Sequence, residues 1–158
     1  MFEIIKSEYI NIVFLIINFS FIHLIADYIF QTKENALNKS SSIGHLFEHV
    51  SIYTCVWLVF FGVNVFFEVL IDKQTINNFH FLHIFYFIVL KFIGHFLIDY
   101  FTSPIIKNMF KKEIYYTEIP NTGVFTMMGF DQFLHFVGTL INWFIFSYLL
   151  AALHFIKF

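Results

Sequence analysis

The stretch IGHLFEHVSIYTCVWLVFFGVNVFFEVLI, from Ile43 to Ile71, decides the fold class. It exceeds the ~20 apolar residues a helix needs to cross a bilayer, and its only acidic residues are Glu48 and Glu68. Inside lipid every backbone N–H and C=O must be satisfied within the segment, so a span of this composition is a helix. Near its start stand His45 and His49, four residues apart and therefore stacked on one helical face. Imidazoles on a membrane helix face the bundle interior and need partners there.

Working outward, three more apolar stretches run roughly from Tyr9 to Phe30, Phe81 to Thr102 and Gly129 to Ile156. The expectation is an all-α integral membrane protein: one domain over 1–158, an up-and-down bundle of four transmembrane helices. Composition agrees: 59% hydrophobic and 13% charged, far from the roughly quarter-charged balance of a soluble domain. Net charge is −2 with no Arg, which excludes a nucleic-acid footprint. Cys55 is the single cysteine, so no internal disulfide forms. The 26 Phe reflect base composition of the gene rather than a stacking function. The first stretch carries Asp27 and Gln31 where a cleaved signal would have small residues.

The connections are polar. Gln31 to Ser42 (QTKENALNKSSS) is a loop ending in serines that cap the next helix. Asp72 to His80 turns the chain on the opposite side. Ser103-Pro104 is expected to begin a short amphipathic interfacial helix, or else a basic loop, with Lys107, Lys111 and Lys112 among Ile105, Ile106, Met109 and Phe110. Tyr115 to Gly123 returns the chain to the last helix.

The pattern of His45 and His49 recurs on every span. His23/Asp27, His95/Asp99 and Asp131/His135 have the same spacing, where random placement would give roughly one such pair. Short loops make neighbouring helices antiparallel, so the end of the first helix, the start of the second, the end of the third and the start of the fourth share one half of the membrane. Imidazole plus carboxylate suits zinc, manganese or iron. Eight candidate ligands exceed the four of one tetrahedral zinc, leaving room for one or two ions. Glu48 and Asp131 are candidate general bases. Lys91 either neutralises Asp99 through an intervening contact or snorkels, and His80, His83 and His154 are interfacial.

In HLIADYIFQT (His23 to Thr32), NKSSSIGHLFEHVSIYT (Asn38 to Thr54), HFLIDY (His95 to Tyr100) and DQFLHF (Asp131 to Phe136) the chain resembles the bacterial and phage membrane proteins catalogued as domain of unknown function thirty-three-oh-seven. The resemblance touches all four helices. It implies a functional face made of His23, Asp27, Gln31, Lys39, His45, His49, His95, Asp99, Asp131, Gln132 and His135, and a bacterial inner membrane. Membrane-bound metal-dependent hydrolases are more loosely similar. Where a basic residue often follows the HFLIDY-type motif in that family, Phe101-Thr102-Ser103-Pro104 intervene here before Lys107.

The function these readings predict is metal-dependent hydrolysis of a lipid or other amphiphile, with Asp27, His49, Asp99 and His135 as first-choice ligands. Two alternatives stand beside it: a metal-ion or proton transporter, and a structural or regulatory subunit whose polar cluster packs helices. Lys33, Lys39, Lys107, Lys111 and Lys112 outnumber Lys6, Lys73 and Lys157, which puts the site on the cytoplasmic side. Nothing in the pattern sets the oligomeric state.

Overall fold

The computed structural model describes residues 13, 16–72, 78–112 and 122–156. Those residues form helices and connecting turns, with no strand among them. Helix α1 covers Ile16–Ile29, its last turn, Ile25–Ile29, being a π-helix. It is followed by α2 (Lys33–Asn38), α3 (Ile43–Asp72), α4 (Asn78–Lys112) and α5 (Thr122–Ile156). Three of the four expected spans are present as helices long and apolar enough to cross a membrane: Ile43–Phe67, Ile84–Lys111 and Gly123–Ile145. The described part of α1 is apolar but shorter than a span. Residues 73–77 and the return segment around Pro120 lie outside the described residues, as do Lys6, Lys73, Lys157 and the side chains of His80, His83 and His154.

The polar connection between α1 and α3 is ordered by its own side chains. Thr32 caps α2 by accepting the Asn35 N–H at 3.1 Å. Ser42 opens α3, its carbonyl taking the Leu46 N–H at 3.0 Å and its hydroxyl facing the His45 N–H at 3.5 Å. Both arrangements satisfy N-terminal amides that a helix leaves free.

One expected element is absent. Ser103-Pro104 does not start a new helix; α4 runs through Pro104 to Lys112, so the amphipathic stretch is the end of α4. Proline removes the N–H that would bond the Tyr100 carbonyl. Thr102 and Ser103, both buried against the bundle, anchor the helix within that interrupted turn, as packing does in membrane helices.

The bundle is apolar outside and polar within. Phe144 (69% exposed), Val59 and Phe101 face outward, while His49, Asp99 and His135 are almost fully buried. The rest of the interior is aromatic: Phe19, Tyr53, Trp57 and Phe87 form the buried centre, with the Phe19 ring 5.4 Å edge-on from both Trp57 and Trp143. Helices α4 and α5 approach closely where Gly138 faces Ile98, whose Cδ1 lies 3.6 Å from where a Cβ would sit. Small residues permit that approach between membrane helices.

Candidate metal centre

Four elements each contribute at the same level. The π-turn of α1 carries Asp27; its Phe30 N–H reaches back to the Ile25 carbonyl at 3.1 Å, the five-residue bond that defines such a turn. Widened turns of this kind occur inside helices at functional sites, and here Asp27 is buried within it. His49 comes from the second turn of α3, His95 and Asp99 from α4, and Asp131 and His135 from the third and fourth turns of α5.

Their polar atoms converge. His49 Nε2 lies 3.1 Å from His95 Nε2, 3.1 Å from Asp27 Oδ1 and 3.1 Å from Asp99 Oδ2. His95 Nε2 lies 3.5 Å from Asp27 Oδ1 and 3.6 Å from Asp99 Oδ2. A tetrahedral ion with ligands at ~2.0–2.2 Å needs neighbouring ligand atoms roughly 3.3–3.5 Å apart. The observed edges bracket that value, so Asp27, His49, His95 and Asp99 can hold a metal ion. Asp99, Asp131 and His135 form a second such group. His135 Nε2 stands 3.2 Å from Asp99 Oδ1 and 3.7 Å from Asp131 Oδ1. Asp99 belongs to both groups and offers one oxygen to each.

Two observations favour a cation over a purely hydrogen-bonded cluster. Asp27 Oδ1 is buried without a hydrogen-bond partner, although two imidazole nitrogens are near it. Leaving a charged acceptor unsatisfied costs more than the ~1–3 kcal/mol of a neutral one. The second is charge. Asp27, Asp99 and Asp131 are all buried, and among the described residues the one ammonium in contact with them is Lys39, 2.8 Å from Asp99 Oδ2. If the imidazoles are neutral, the state in which they can ligate, two negative charges remain. That is the charge of one divalent ion.

Packing orients the imidazoles. Tyr53 stacks on His95 with centroids 3.7 Å apart, and His135 stacks on it at 4.1 Å. The Nδ1 atoms of His49 and His95 are buried without a protein partner, so no carboxylate orients these rings from behind, the usual arrangement for ligating histidines. Lys39 also reaches His49 Nε2 at 3.2 Å. Burial opposes its charge, but Asp99 first and Asp27 next hold its pKa above the ordinary lysine value.

A second ring of side chains locks the first. Gln132 donates from Nε2 to Asp27 Oδ2 at 3.3 Å and to Asp131 Oδ2 at 3.1 Å, while its Oε1 pairs with His23 Nε2 at 2.9 Å. His23 Nδ1 meets the Tyr53 hydroxyl at 3.0 Å, so both its nitrogens are engaged outside the metal groups. Thr102 donates its hydroxyl to Asp131 Oδ1. Lys91 neither snorkels nor meets Asp99: it is buried, bonded to Thr139 and 4.5 Å over the Trp57 ring.

Of the residues singled out in the sequence, Asp27, His49, His95, Asp99, Asp131 and His135 come together, with Lys39, Gln132 and His23 around them. His45 does not join. It lies one turn nearer the helix start, where α2 covers it, and pairs with Asn35 Oδ1 at 3.1 Å. Glu48 is exposed, next to His49 in sequence and so turned ~100° away on the helix. Tyr53, Thr102 and Thr139 went unnoticed, yet each sits three or four residues beyond His49, Asp99 or His135 on the same face.

Two carboxylates of the cluster, Asp27 and Asp131, border a cavity of about 480 Å³ that Gln132, Lys39, Lys107 and Lys111 also line; His49, His95, Asp99 and His135 lie behind them. Gln31 also lines it, with its Nε2 buried and unpaired. A second cavity of about 410 Å³ adjoins it, with Tyr28 and Gln132 common to both. Comparison with protein-family models, curated proteins and solved structures finds no match.

Proposed function

We propose that this chain is an integral membrane hydrolase that uses one or two divalent ions, zinc, manganese or iron, to cleave a lipid or other amphiphile. The observation that carries the reading is the convergence of buried His and Asp ligand atoms, two of whose carboxylates, Asp27 and Asp131, line a cavity that also has cationic and apolar residues. A hydrolase needs a metal group, a water supply and room for substrate at one place. A transporter would instead place its site near the midplane with access from both sides.

A bound ion supplies Lewis-acid polarisation and a water of near-neutral pKa. Asp27, His49, His95 and Asp99 would hold one ion, with Lys39 giving up its contact with His49 Nε2, and Asp99 and His135 would help to hold a second. Asp131 is the general base. It faces the cavity, and Thr102 and Gln132 fix the direction of its carboxylate, as that role demands. Gln132 ties the base to Asp27 and to His23, so a shift at one ligand is felt at the others. The cytoplasmic side of a bacterial inner membrane is the proposed location, supported by the lysines around the cavity and by the resemblance to the family of unknown function named above.

The test is made on protein purified in detergent. Elemental analysis is expected to find one or two zinc, manganese or iron ions per chain, and a fluorogenic lipid ester or phosphoester to be cleaved in a chelator-sensitive way. Protein that holds no stoichiometric metal, with Asp99→Asn indistinguishable from the parent, would sink the reading.

A further inference from the structure

We propose that the ligand of this site is a single-chain amphiphile with a phosphate headgroup: the phosphate sits among Lys39, Lys107, Lys111 and the Gln31 amide in the first cavity, and the tail enters the second. This rests on the hydrolase reading for its chemistry, but not for its binding.

The first cavity carries more donors than its own residues use. An ammonium has three N–H groups. Lys39 directs its ammonium to Asp99 and His49, which leaves one. Lys107 bonds Ser41 Oγ at 3.0 Å and the Leu37 carbonyl at 3.4 Å, again leaving one. Lys111 is exposed and has no hydrogen bond among the described residues. The Gln31 amide nitrogen is a buried donor that nothing accepts from, and a buried donor of this kind calls for an acceptor. Three ammoniums and an amide, drawn from the α1–α2 turn, the α2–α3 loop and the end of α4, approach the space from different sides. A carboxylate offers two oxygens in one plane. A phosphate monoester offers three charged or polar oxygens on a tetrahedron and close to two negative charges, which matches donors arriving from several directions. Lysine binds phosphate well as a point charge.

The second cavity explains why a tail is part of the ligand. Its apolar lining comes from Phe19 and Leu24 of α1 and Phe136 of α5. It leads from Tyr28, which borders both cavities, toward Phe19, a distance of ~13 Å along the helix at 1.5 Å per residue. The wall of the first cavity is also partly apolar, through Leu37, Ile106 and Phe110. A headgroup held by the lysines thus has an apolar channel beginning beside it, and Gln132 stands between the channel and the candidate ligands.

Isothermal titration in maltoside detergent tests this, with metal content measured on the same sample. The probes are dodecyl phosphate, dodecyltrimethylammonium and inorganic phosphate. Dodecyl phosphate is expected to bind at least about 10-fold more tightly than either of the others, and Lys107→Gln combined with Lys111→Gln to weaken it about 100-fold, the size expected for loss of two charge-assisted hydrogen bonds. Both lysines lie near the helix end, so the double variant folds. Leu24→Trp, which fills the second cavity from an exposed position, is expected to weaken dodecyl phosphate and leave inorganic phosphate unchanged. Equal binding of the alkylammonium, or binding indifferent to the lysines, overturns the headgroup assignment. Inorganic phosphate binding as tightly as dodecyl phosphate overturns the tail and leaves a site for free phosphate or a soluble phosphate ester. Lysine-dependent binding by protein without metal upholds this proposal while the hydrolase reading fails.

Discussion

On α3, one turn separates His49 from Tyr53 and one more separates Tyr53 from Trp57, yet the two ends of that short run live in different chemistry. Around His49 the bundle interior is carboxylate, imidazole and ammonium. Around Trp57 it is Phe19, Phe61 and Phe87. Apart from Lys91, buried over the Trp57 ring and bonded to Thr139, the aromatic half holds the helices together by contact, and a residue of similar volume does that work with modest loss. The polar half has no such tolerance. Each carboxylate there depends on polar partners drawn from other elements, and removing one partner strands the rest. The helices are therefore interchangeable in composition at one level and individually specified at the other. Tyr53 belongs to both, stacking on His95 with its face and meeting His23 with its hydroxyl.

The largest break in that contrast is expected from Asp99→Ala. It removes the residue common to both metal groups and takes the carboxylate partner from half-buried Lys39, so metal content should fall to background and stability by about 3 kcal/mol, read by elemental analysis and denaturant titration. Metal retained at the parent level would place the ion elsewhere. Chelation of the parent should follow in size. An ion at about 100 times its dissociation constant contributes ~2.7 kcal/mol, so stripping it should lower the melting temperature, and the same chelator should leave the melting of Asp99→Ala unmoved. Phe87→Leu in the aromatic half should cost about 1–2 kcal/mol and keep the full complement of metal. A loss of metal there would show that the two halves are coupled through Tyr53 rather than independent.

How much of this was legible in the sequence follows from the same division. The spans on α3, α4 and α5 were legible because apolar length alone decides them. The level of the site was legible too, since alternating helix direction places the pairs in one half without any packing detail. Composition says nothing about which nitrogen finds which oxygen. His45 and His49 look equivalent as a pair, but α2 reaches over the first turn of α3 and takes His45 through Asn35, a contact set by a six-residue helix that reads as loop. Lys39 and Lys91 show the same gap. Lys91 lies one turn from His95 on the same helix, while Lys39 arrives from the connection and is the one that meets Asp99. Pro104 belongs to the same gap: it marks a helix start when the chain is free to turn, and here α4 continues through it with Thr102 and Ser103 buried beside it.

The smallest expected effects test whether the polar half ends where α2 covers it. His45→Ala removes one neutral hydrogen bond to Asn35, whose amide nitrogen already lacks a partner. The cost should be near 1 kcal/mol, with metal content unchanged, because no atom of His45 belongs to either ligand group. Glu48→Gln should fall within about 0.5 kcal/mol, the range for an exposed position away from any network, and should leave hydrolysis at the parent rate. The two variants flank His49 at one and four residues, so they bracket the site by helical angle and by depth together. A metal loss in His45→Ala would extend the ligand set by a turn toward the surface and make α2 part of the centre. A rate loss in Glu48→Gln with metal intact would require the proton to be taken on the outer face of α3, and Asp131 would then be left as a ligand alone.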